Sequence, residues 1–340
     1  MDNFSKSEKE IYDLRKQKIS FLNELTSNSF PTKFNESVKV ADVIKEHSEI
    51  KDGEHTGVNV SIRGRILNAR SFGKLLFYDL LDQSGKIQLL INSGEIDELY
   101  LKLFDNFDIG DIIAVNGEII KTKKGELSIK VNETTILSKS LRTLPEKWHG
   151  LKDKETRFRQ RYLDLIVNPE SKRILQTRSN VVRLLREYLH ATEFIEVETP
   201  ILQSKAGGAI AKPFQTHHNA LNLDMYLRIA PELYLKRLVI GGFEKVFEIG
   251  KIFRNEGIDQ THQPEFTMLE SYQAYADMNI VMDMVEDMCE YVFDNLEINK
   301  EIEFNGEQAS FSRPWKRVSM YDLVSEKFGI EINFNTGFEI

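Results

Sequence analysis

The chain has 340 residues, 41% of them hydrophobic, with 45 basic against 53 acidic side chains. This length and apolar content favour two domains plus an extension. No run approaches the roughly 18 to 20 apolar residues that a membrane helix needs, and the charged start MDNFSKSEKE argues against a signal peptide. Because the net charge is negative, any nucleic acid would have to meet a local basic surface.

The single cysteine, Cys289, has no second thiol for a disulfide or a shared metal site. This fits a reducing compartment, so the expected location is the cytoplasm, without a membrane partner. A small core residue is the favoured interpretation of Cys289.

The first 50 residues are predicted to form a helical extension that ends between Ser27 and Pro31. Its basic residues, among them Arg15 and Lys18, are interpreted as a solvated helix face, although the segment could also pack on a neighbour or touch a phosphate backbone. The apolar residues spaced for one helix face are Ile11, Leu14, Ile19, Leu22 and Leu25.

Residues 51–143 are predicted to form a small β-barrel. Alternating apolar residues and turn residues indicate three strands, a helix and two strands, at 58–66, 75–81, 87–91, 95–104, 112–121 and 126–137. This order is typical of an OB-fold, whose open face binds single-stranded nucleic acid.

Side chains on this barrel are candidates for contact with unpaired bases. An aromatic ring gives every base a stacking surface, whereas Arg, Gln and Glu can read base edges. The candidates are Arg70, Phe77, Gln88 and Glu126. An aromatic residue in a strand is more often part of a core, so the barrel alone does not decide the role of Phe77.

Two segments of the barrel carry a family resemblance. FGKLLFYDLLDQSGKIQLL and TKKGELSIKV resemble the anticodon-binding barrel of lysyl-tRNA synthetases. The resemblance implies that Phe77, Gln88 and Glu126 contact the anticodon. Lysines near the last hairpin would attract phosphate without reading sequence: Lys121, Lys123, Lys124 and Lys130.

The segment LPEKWHGLKDKETRFRQRYLDLIVNPE, residues 144–170, is predicted to be a linker that passes into a helix. It resembles the join between barrel and catalytic domain in the same family. Its Arg157, Arg159 and Arg161 could support that join or meet RNA, and the structural role is favoured.

A long amphipathic helix is predicted next, and the strand FIEVETPIL follows at residues 194–202. An ordinary α+β domain would show the same pattern. The pair resembles motif 1 of the class II synthetases, whose helix, strand and proline, here Pro200, form a two-fold interface. The resemblance therefore implies a homodimer through Arg173–Pro200.

The segment SKAGGAIAKPFQTHHNAL joins a glycine-rich loop to two adjacent histidines. Gly208 and its small neighbours suit close approach to the backbone, but a flexible turn explains the composition equally well. His217 and His218 would point to opposite faces of a strand, so no metal site is predicted.

The segment MYLRIAPELYLKRLVIGGF predicts a strand and a helix that has Pro231 near its first turn. Glu232 falls in that turn, where a carboxylate is favourable to the helix dipole whatever its function. RIAPELYLKRL resembles the lysine-specific family members rather than their aspartate and asparagine relatives, which makes Glu232 a lysine-pocket residue.

Residues 245–277 predict a β-hairpin with arms at 245–256 and 265–274 and a long loop between Gly257 and Pro264. Gly250 leaves room for a group to lie against the backbone. A guanidinium beside carboxylates suits a ligand that has both phosphate and ammonium groups, whereas each charge alone would be read as a solvated salt bridge. Alternation places on one face Glu248, Gly250, Arg254, Glu256, Phe266, Glu270 and Tyr272.

FRNEG, the loop and PEFTMLE resemble motif 2 of the class II aminoacyl-tRNA synthetases. The resemblance implies that Arg254 is catalytic and holds the α-phosphate of ATP. It implies that Glu256 and His262 hold adenine and the phosphates, and that Phe266 stacks on adenine. The implied lysine contacts are Gly208, Glu232, Glu270 and Tyr272.

The part after the hairpin predicts a helix at 278–296, then strand-like pieces and a further helix, without a catalytic constellation. The family's third motif, a glycine-rich strand and helix ending in Asp-Arg, is absent from the sequence. We therefore expect a fragment of a longer enzyme rather than a natural truncation, with the Mg²⁺ ligands beyond residue 340.

The sequence thus predicts an α+β protein: a helical extension (1–50), an OB-fold anticodon-binding domain (51–143) and a class II antiparallel-sheet catalytic domain with flanking helices (144–340), incomplete at its C-terminus. The resemblance to bacterial-type lysyl-tRNA synthetases implies activation of L-lysine by ATP and its transfer to tRNA(Lys). Two alternatives stay open: a non-catalytic tRNA-binding or regulatory relative, and an aspartate- or asparagine-type enzyme.

Overall fold

The computed structural model describes residues 6–27, 29–34, 37–145, 151–259 and 261–331. Contacts divide the chain into two units, Met1–Pro169 and Glu170–Ile340. Part of the predicted linker (146–150), Gln260 of the predicted hairpin loop and residues 332–340 lie outside the described residues. The domain boundaries predicted at residues 50 and 143 stay predictions.

The first unit contains a closed five-stranded barrel. Its helices are α1 (Lys6–Leu25), α2 (Val40–Glu46), α3 (Glu98–Asp105), α4 (Lys154–Arg159) and α5 (Arg161–Val167). Its strands, β1 (His55–Phe72), β2 (Leu75–Leu81), β3 (Lys86–Asn92), β4 (Ile112–Lys121) and β5 (Leu127–Ser138), follow the order β1-β2-β3-β5-β4 around the barrel. This confirms the predicted OB-fold.

The helix between β3 and β4 begins at Glu98, three residues later than the predicted start at Glu95. The Asp97 carboxylate accepts a hydrogen bond from the Leu99 backbone N–H at 2.8 Å, which satisfies one of the free donors at the helix start. The cap therefore sets the boundary that hydrophobic spacing alone misses.

The N-terminal helices share the core of the barrel. Leu22 and Val40 are fully buried in the same cluster as the barrel residues Ile62, Leu80 and Leu89. Burial of this apolar surface, at about 25 cal/mol per Å², is what attaches α1 and α2 to the strands.

The prediction that the basic residues of α1 form a solvated face is wrong for Arg15 and Lys18. Arg15 is buried and donates to the backbone carbonyls of Ser140 at 2.8 Å and Arg142 at 3.1 Å. Lys18 donates to the Asp108 carboxylate at 2.8 Å. These acceptors face the basic side of the helix, while the predicted apolar Leu14 is 55% exposed.

The favoured structural role for the linker arginines agrees with the contacts of α4 and α5. Arg157 and Arg161 donate to the fully buried Asp164 carboxylate at 2.7 and 2.6 Å. Because a buried carboxylate needs compensating partners, these arginines stabilise the helix pair.

The second unit is α+β with mainly antiparallel pairing, as predicted. Its helices are α6 (Pro169–Ala191), α7 (Glu232–Ile240), α8 (Met278–Leu296) and α9 (Met320–Phe328). The sheets have the orders β11-β10-β6, β7-β9-β8 and β12-β13. The strands are β6 (Ile195–Glu196), β7 (Leu202–Gln203), β8 (Gln215–His218), β9 (Leu223–Leu227), β10 (Lys245–Phe253), β11 (Glu265–Gln273), β12 (Glu301–Phe304) and β13 (Glu307–Ser310).

The strand predicted at residues 194–202 forms only the short strands β6 and β7. β6 pairs in parallel with β10 at Val246 and Phe247. After β6, the backbone N–H of Thr199 donates to the Glu248 carboxylate at 3.2 Å instead of to a neighbouring strand. Pro200 has no N–H that could continue the strand pairing.

The core of this unit lies around Leu189 of α6, Phe194 and Phe247 of β10, which are all buried. Across the described ranges of both units, no helix has the length and hydrophobicity required to span a membrane.

Candidate functional site

The hairpin of β10 and β11 brings most of the predicted face together. Glu248 lies opposite Glu270, Gly250 opposite Met268 and Val246 opposite Tyr272. Because side chains alternate along a strand, Glu248, Gly250, Phe266, Glu270 and Tyr272 share one face.

The first arm is shorter than predicted, because β10 ends at Phe253. Arg254 and Glu256 therefore lie beyond the regular strand, on the segment that enters the loop. The Arg254 backbone N–H still donates to the carbonyl of Pro264 at 2.9 Å, which holds the two ends of the loop together.

The Arg254 side chain is held against an aromatic ring. Its guanidinium carbon lies 5.2 Å from the centre of the Phe266 ring, within cation–π range. Its Nε is buried and has no hydrogen-bond partner among the described residues. A buried donor without an acceptor costs about 1–3 kcal/mol, so this N–H suits an acceptor supplied by a ligand, such as a phosphate oxygen.

Glu270 is a half-buried carboxylate whose pKa is raised, first by burial and then by the nearby charges of Glu232 and Glu248. The Tyr272 hydroxyl donates to Glu270 Oε2 at 3.1 Å. Burial also raises the pKa of the Tyr272 phenol, which keeps it a hydrogen-bond donor. A cation placed among these groups would relieve the repulsion between the carboxylates.

Gly208 and Glu232 meet at the start of α7. Gly208 has φ +88°, and a Cβ there would lie 2.9 Å from the Cβ of Glu232. Only glycine permits this backbone to approach the aliphatic part of the Glu232 side chain so closely. The structure therefore places all four predicted amino-acid contacts, Gly208, Glu232, Glu270 and Tyr272, in one neighbourhood.

Lys236, on α7, contacts two of these four residues, Glu232 and Tyr272. Lys236 Nζ lies 2.7 Å from Glu232 Oε1 and 6.0 Å from the centre of the Tyr272 ring. An ammonium group is thus already compatible with this carboxylate and ring.

Glu256 and His262 are exposed and have other partners. Glu256 Oε1 accepts a long hydrogen bond, 3.3 Å, from the backbone N–H of Lys212. His262 Nδ1 lies 2.7 Å from Asp259 Oδ2 within the loop. Among the described residues, Glu256 and His262 thus contact Lys212 and Asp259, and neither of these contacts involves Arg254 or Phe266.

The space left by Gly250 is occupied by the protein itself. A Cβ on Gly250 would lie 2.1 Å from Nη2 of Arg228, so the guanidinium of Arg228 lies against the glycine. Glu248, the predicted neighbour on this face, forms a buried ion pair with the same guanidinium. The expectation that Gly250 leaves room for a group against the backbone is confirmed, and the group is the guanidinium of Arg228, which also pairs with Glu248.

The barrel carries a cleft of about 770 Å³ that is lined by all four predicted base-contacting residues, Arg70, Phe77, Gln88 and Glu126. Phe77 packs edge-to-face on Phe72, with ring centres 6.1 Å apart. Gln88 Oε1 accepts from Ser128 Oγ at 3.0 Å, which leaves the amide N–H groups to donate.

Charges around the cleft are partly paired. Arg70 Nη2 lies 3.1 Å from Asp79 Oδ1. Lys121, Lys123 and Lys124 line the cleft as predicted, whereas Lys130 pairs with Glu95 at 2.7 Å.

In the described part of the chain, no group of three or more His, Cys, Asp or Glu side chains is arranged to hold a metal ion. His217 Nδ1 lies 2.7 Å from Asp224 Oδ1, so this histidine has a side-chain partner across β8 and β9.

Comparisons with known proteins agree with both units. Residues 153–335 match the family model described as tRNA synthetases class II (D, K and N), and residues 60–137 match the model of an OB-fold nucleic acid binding domain. The chain belongs to the class II tRNA synthetases.

Three relatives of this class II synthetase are named lysine–tRNA ligase. The proteins from Clostridium botulinum (strain Hall) and Syntrophomonas wolfei are 47% and 46% identical over 336 and 332 residues, which cover 98% and 97% of this chain and 66% of each relative. The protein from Clostridium perfringens (strain ATCC 13124) is 48% identical over 331 residues, 96% of this chain and 64% of the relative. The synthetase chain thus spans about two thirds of the length of these relatives.

Sequence reasoning missed the central cation of this synthetase unit. Arg228 is among the largest fully buried side chains, yet it stands in MYLRIAP as a lone charge between apolar residues. A charged residue inside an apolar strand, together with a glycine in the neighbouring VFEIGK, is the signal that predicts such a buried pair.

Proposed function

We propose that this protein activates L-lysine with ATP and transfers it to the 3′ end of tRNA(Lys). In the first step the lysine carboxylate attacks the α-phosphorus of ATP, the bond to the β-phosphate oxygen breaks, and lysyl-adenylate and pyrophosphate form. The printed names of the relatives, at 46–48% identity over nearly the whole chain, support this reaction.

The observation that carries the proposal is the convergence of Glu232 and Glu270 beside Tyr272 and Gly208. Two half-buried carboxylates next to one another favour a cationic amino acid, because an uncharged analogue leaves them unpaired. We assign Glu232, Glu270 and Tyr272 to the ammonium groups of lysine, with the Gly208 backbone lying against the substrate.

Arg254 is the proposed catalytic residue. Its unpaired Nε and its fixed position on Phe266 make it a preorganised donor for the α-phosphate, where charge develops in the transition state. Phe266 is proposed to stack on adenine. Glu256 and His262 are proposed to contact adenine and the phosphates, and both are exposed and accessible to a ligand.

The tRNA would bind through the barrel cleft, where Phe77 offers stacking and Gln88, Glu126 and Arg70 offer polar contacts to anticodon bases. A homodimer through Arg173–Pro200 and a cytoplasmic location are further parts of the proposal. Mg²⁺ would accompany ATP; the described residues offer no fitting ligand cluster, and no step is assigned to the ion.

The two alternatives are not favoured. An aspartate- or asparagine-type enzyme would have to place two neighbouring carboxylates against an anionic or neutral side chain. A non-catalytic tRNA-binding protein would gain nothing from a buried Arg254 Nε that has no hydrogen-bond partner among the described residues.

The test is exchange of pyrophosphate into ATP by the full-length gene product. Lysine should drive exchange, and aspartate and asparagine should not. Arg254→Ala should reduce the lysine-driven rate by roughly 10²-fold or more, while Arg237→Ala, an exposed arginine on α7, should leave it within about twofold. Exchange driven by aspartate or asparagine, or an unchanged rate in Arg254→Ala, would contradict the proposal.

A further inference from the structure

Arg228 is a buried cation directly before the turn that leads into α7. Its side chain is 2% exposed. Arg228 follows β9 and precedes Glu232, the first residue of α7, by four residues. Its position therefore affects where Glu232 lies.

The backbone of Arg228 joins two neighbouring segments. Its N–H donates to the carbonyl of Ile201 at 2.9 Å, and its carbonyl accepts from the N–H of Phe253 at 3.0 Å. Phe253 is the residue before Arg254. The same residue is therefore tied to the start of the acidic pocket and to the arm that carries the proposed catalytic arginine.

The Nε and Nη1 atoms of the Arg228 guanidinium donate to partners within the protein. Nε donates to the carbonyl of Lys251 at 2.9 Å, and Nη1 donates to the carbonyl and hydroxyl of Thr199 at 3.2 Å each. Nη1 also donates to Glu248 Oε1. The second carboxylate oxygen of Glu248 accepts from Thr199 Oγ1 at 2.6 Å. Because the Arg228 side chain is 2% exposed and is paired with the buried Glu248, we infer that Arg228 acts through other residues.

Glu248 is the cross-strand partner of Glu270, and its charge therefore bears on the pocket. Glu248 and Glu232 both repel the ionised form of Glu270, whereas Arg228 favours it. The other charged and titratable groups around this carboxylate are Tyr272 on β11 and, beyond Glu232, Lys236 on α7. Without Arg228, the buried Glu248 charge would act on Glu270 uncompensated.

We propose that Arg228 is a positioning residue for amino-acid selection: by neutralising Glu248 beside Glu270, it keeps Glu270 ionised and Glu232 aligned for a cationic substrate. This inference rests on the proposed function, because it names the residue that prepares the same site. Gly250 is part of the arrangement, since only a residue without a side chain leaves space for the guanidinium.

The two members of the pair make opposite predictions. Arg228→Met leaves Glu248 unneutralised, so the acid limb of kcat/KM for lysine should move to higher pH, and KM for lysine at neutral pH should rise about tenfold. Glu248→Gln leaves the cation, so the limb should move to lower pH. The double variant Arg228→Met/Glu248→Gln should return the limb close to its original position, with KM for ATP within about twofold throughout.

The experiment measures lysine-driven exchange by the full-length gene product across pH, with Arg237→Met as the matched control on α7. Limbs that move in opposite directions in the two single variants support the proposal. Unmoved limbs, or equal losses for lysine and ATP in both variants, overturn it.

If Arg228→Met does not fold, the direction in which the acid limb of Glu248→Gln moves decides alone. If both single variants fail to fold, the pair serves folding only and the proposal is wrong. If the unmodified protein shows no lysine-driven exchange, the proposed function itself is wrong. If the unmodified protein is active but the variants leave the acid limb unmoved, only this inference is wrong.

Discussion

The barrel and the hairpin unit both bury ion pairs, but they place them differently with respect to the candidate sites. In the barrel, Lys139 and the fully buried Asp111 lie 2.7 Å apart, and neither lines the cleft. In the hairpin unit, Arg228 and Glu248 lie beside the acidic pocket, with Glu248 opposite Glu270.

In the barrel, the residues that stabilise the fold are therefore different from those that line the cleft. In the hairpin unit, the buried pair bears on both folding and the pocket. The cleft residues of the barrel stand on a scaffold whose core is apolar and complete without them. The pocket of the hairpin unit depends on the balance of several nearby charges, because each carboxylate changes the ionisation of its neighbours. Changes in the cleft should therefore affect RNA binding alone, and changes in the buried pair beside the pocket should affect folding and substrate binding together.

The largest expected effect comes from Gly250→Ala. The new Cβ would lie 2.1 Å from Arg228 Nη2 and 3.2 Å from Glu248 Oε1, so the buried pair must move or separate. We expect a loss of about 3 kcal/mol in the free energy of unfolding, measured by hydrogen exchange in residues 170–331. Amide protection in the barrel should not change.

Gly257→Ala is the matched control for that variant. No atom lies within 4 Å of a Cβ at Gly257, and its φ is not in the left-handed region. The two glycines belong to the same hairpin, so equal losses of protection in both variants would refute the coupling that we describe.

In the barrel, Phe77→Ala should weaken binding of tRNA(Lys) by roughly 10- to 100-fold, because loss of one base–aromatic stack costs about 1–3 kcal/mol. Binding is measured by titration at fixed salt, since phosphate contacts depend on ionic strength. Phe304→Ala removes an exposed ring from the other unit and should bind normally. A Phe77→Ala variant with full affinity would remove this ring from the proposed anticodon contacts.

The pH dependence of lysine use sharpens the contrast further. Burial and the neighbouring carboxylates raise the pKa of Glu270, so its charge is gained only as the pH rises through that raised value. kcat/KM for lysine should fall by about tenfold per pH unit below it, and the limb should lie above the range of an exposed glutamate. Glu270→Gln should lower kcat/KM and abolish this limb; a limb that persists in that variant would assign it to another group.

The smallest effect is expected at Lys236. Its ammonium pairs with Glu232 on a half-exposed helix face, where such a pair contributes about 0–1 kcal/mol. Lys236→Met frees Glu232 for substrate and should lower KM for lysine by up to about fivefold. Lys327→Met, on the exposed face of α9, is the control. An increased KM in Lys236→Met would show instead that this lysine supports binding.

The barrel was largely predictable because its signals are local. Gly73 lies between β1 and β2, and the Gln83-Ser84-Gly85 segment precedes β3, whose burial alternates from residue to residue. The shared face of Phe266, Glu270 and Tyr272 was predictable for the same reason, because a two-residue period needs no knowledge of the partner strand.

The partners of charged residues were not predictable, because they come from distant positions. Arg15 meets carbonyls 125 and 127 residues away, and Arg228 meets Thr199 of one segment and Glu248 and Lys251 of β10. Periodicity reports which face a residue occupies and says nothing about what covers that face. The sequence therefore predicted the pocket's carboxylates without the guanidinium that balances them.

The most direct test of the account is a crystal structure of the full-length gene product with bound L-lysine. We expect nitrogen atoms of the ligand within about 3 Å of carboxylate oxygens of Glu232 and Glu270, with Arg228 still paired to Glu248 beside Glu270. Lysine bound elsewhere, or Glu232 and Glu270 turned away from the ligand, would contradict the assignment of this hairpin to amino-acid activation.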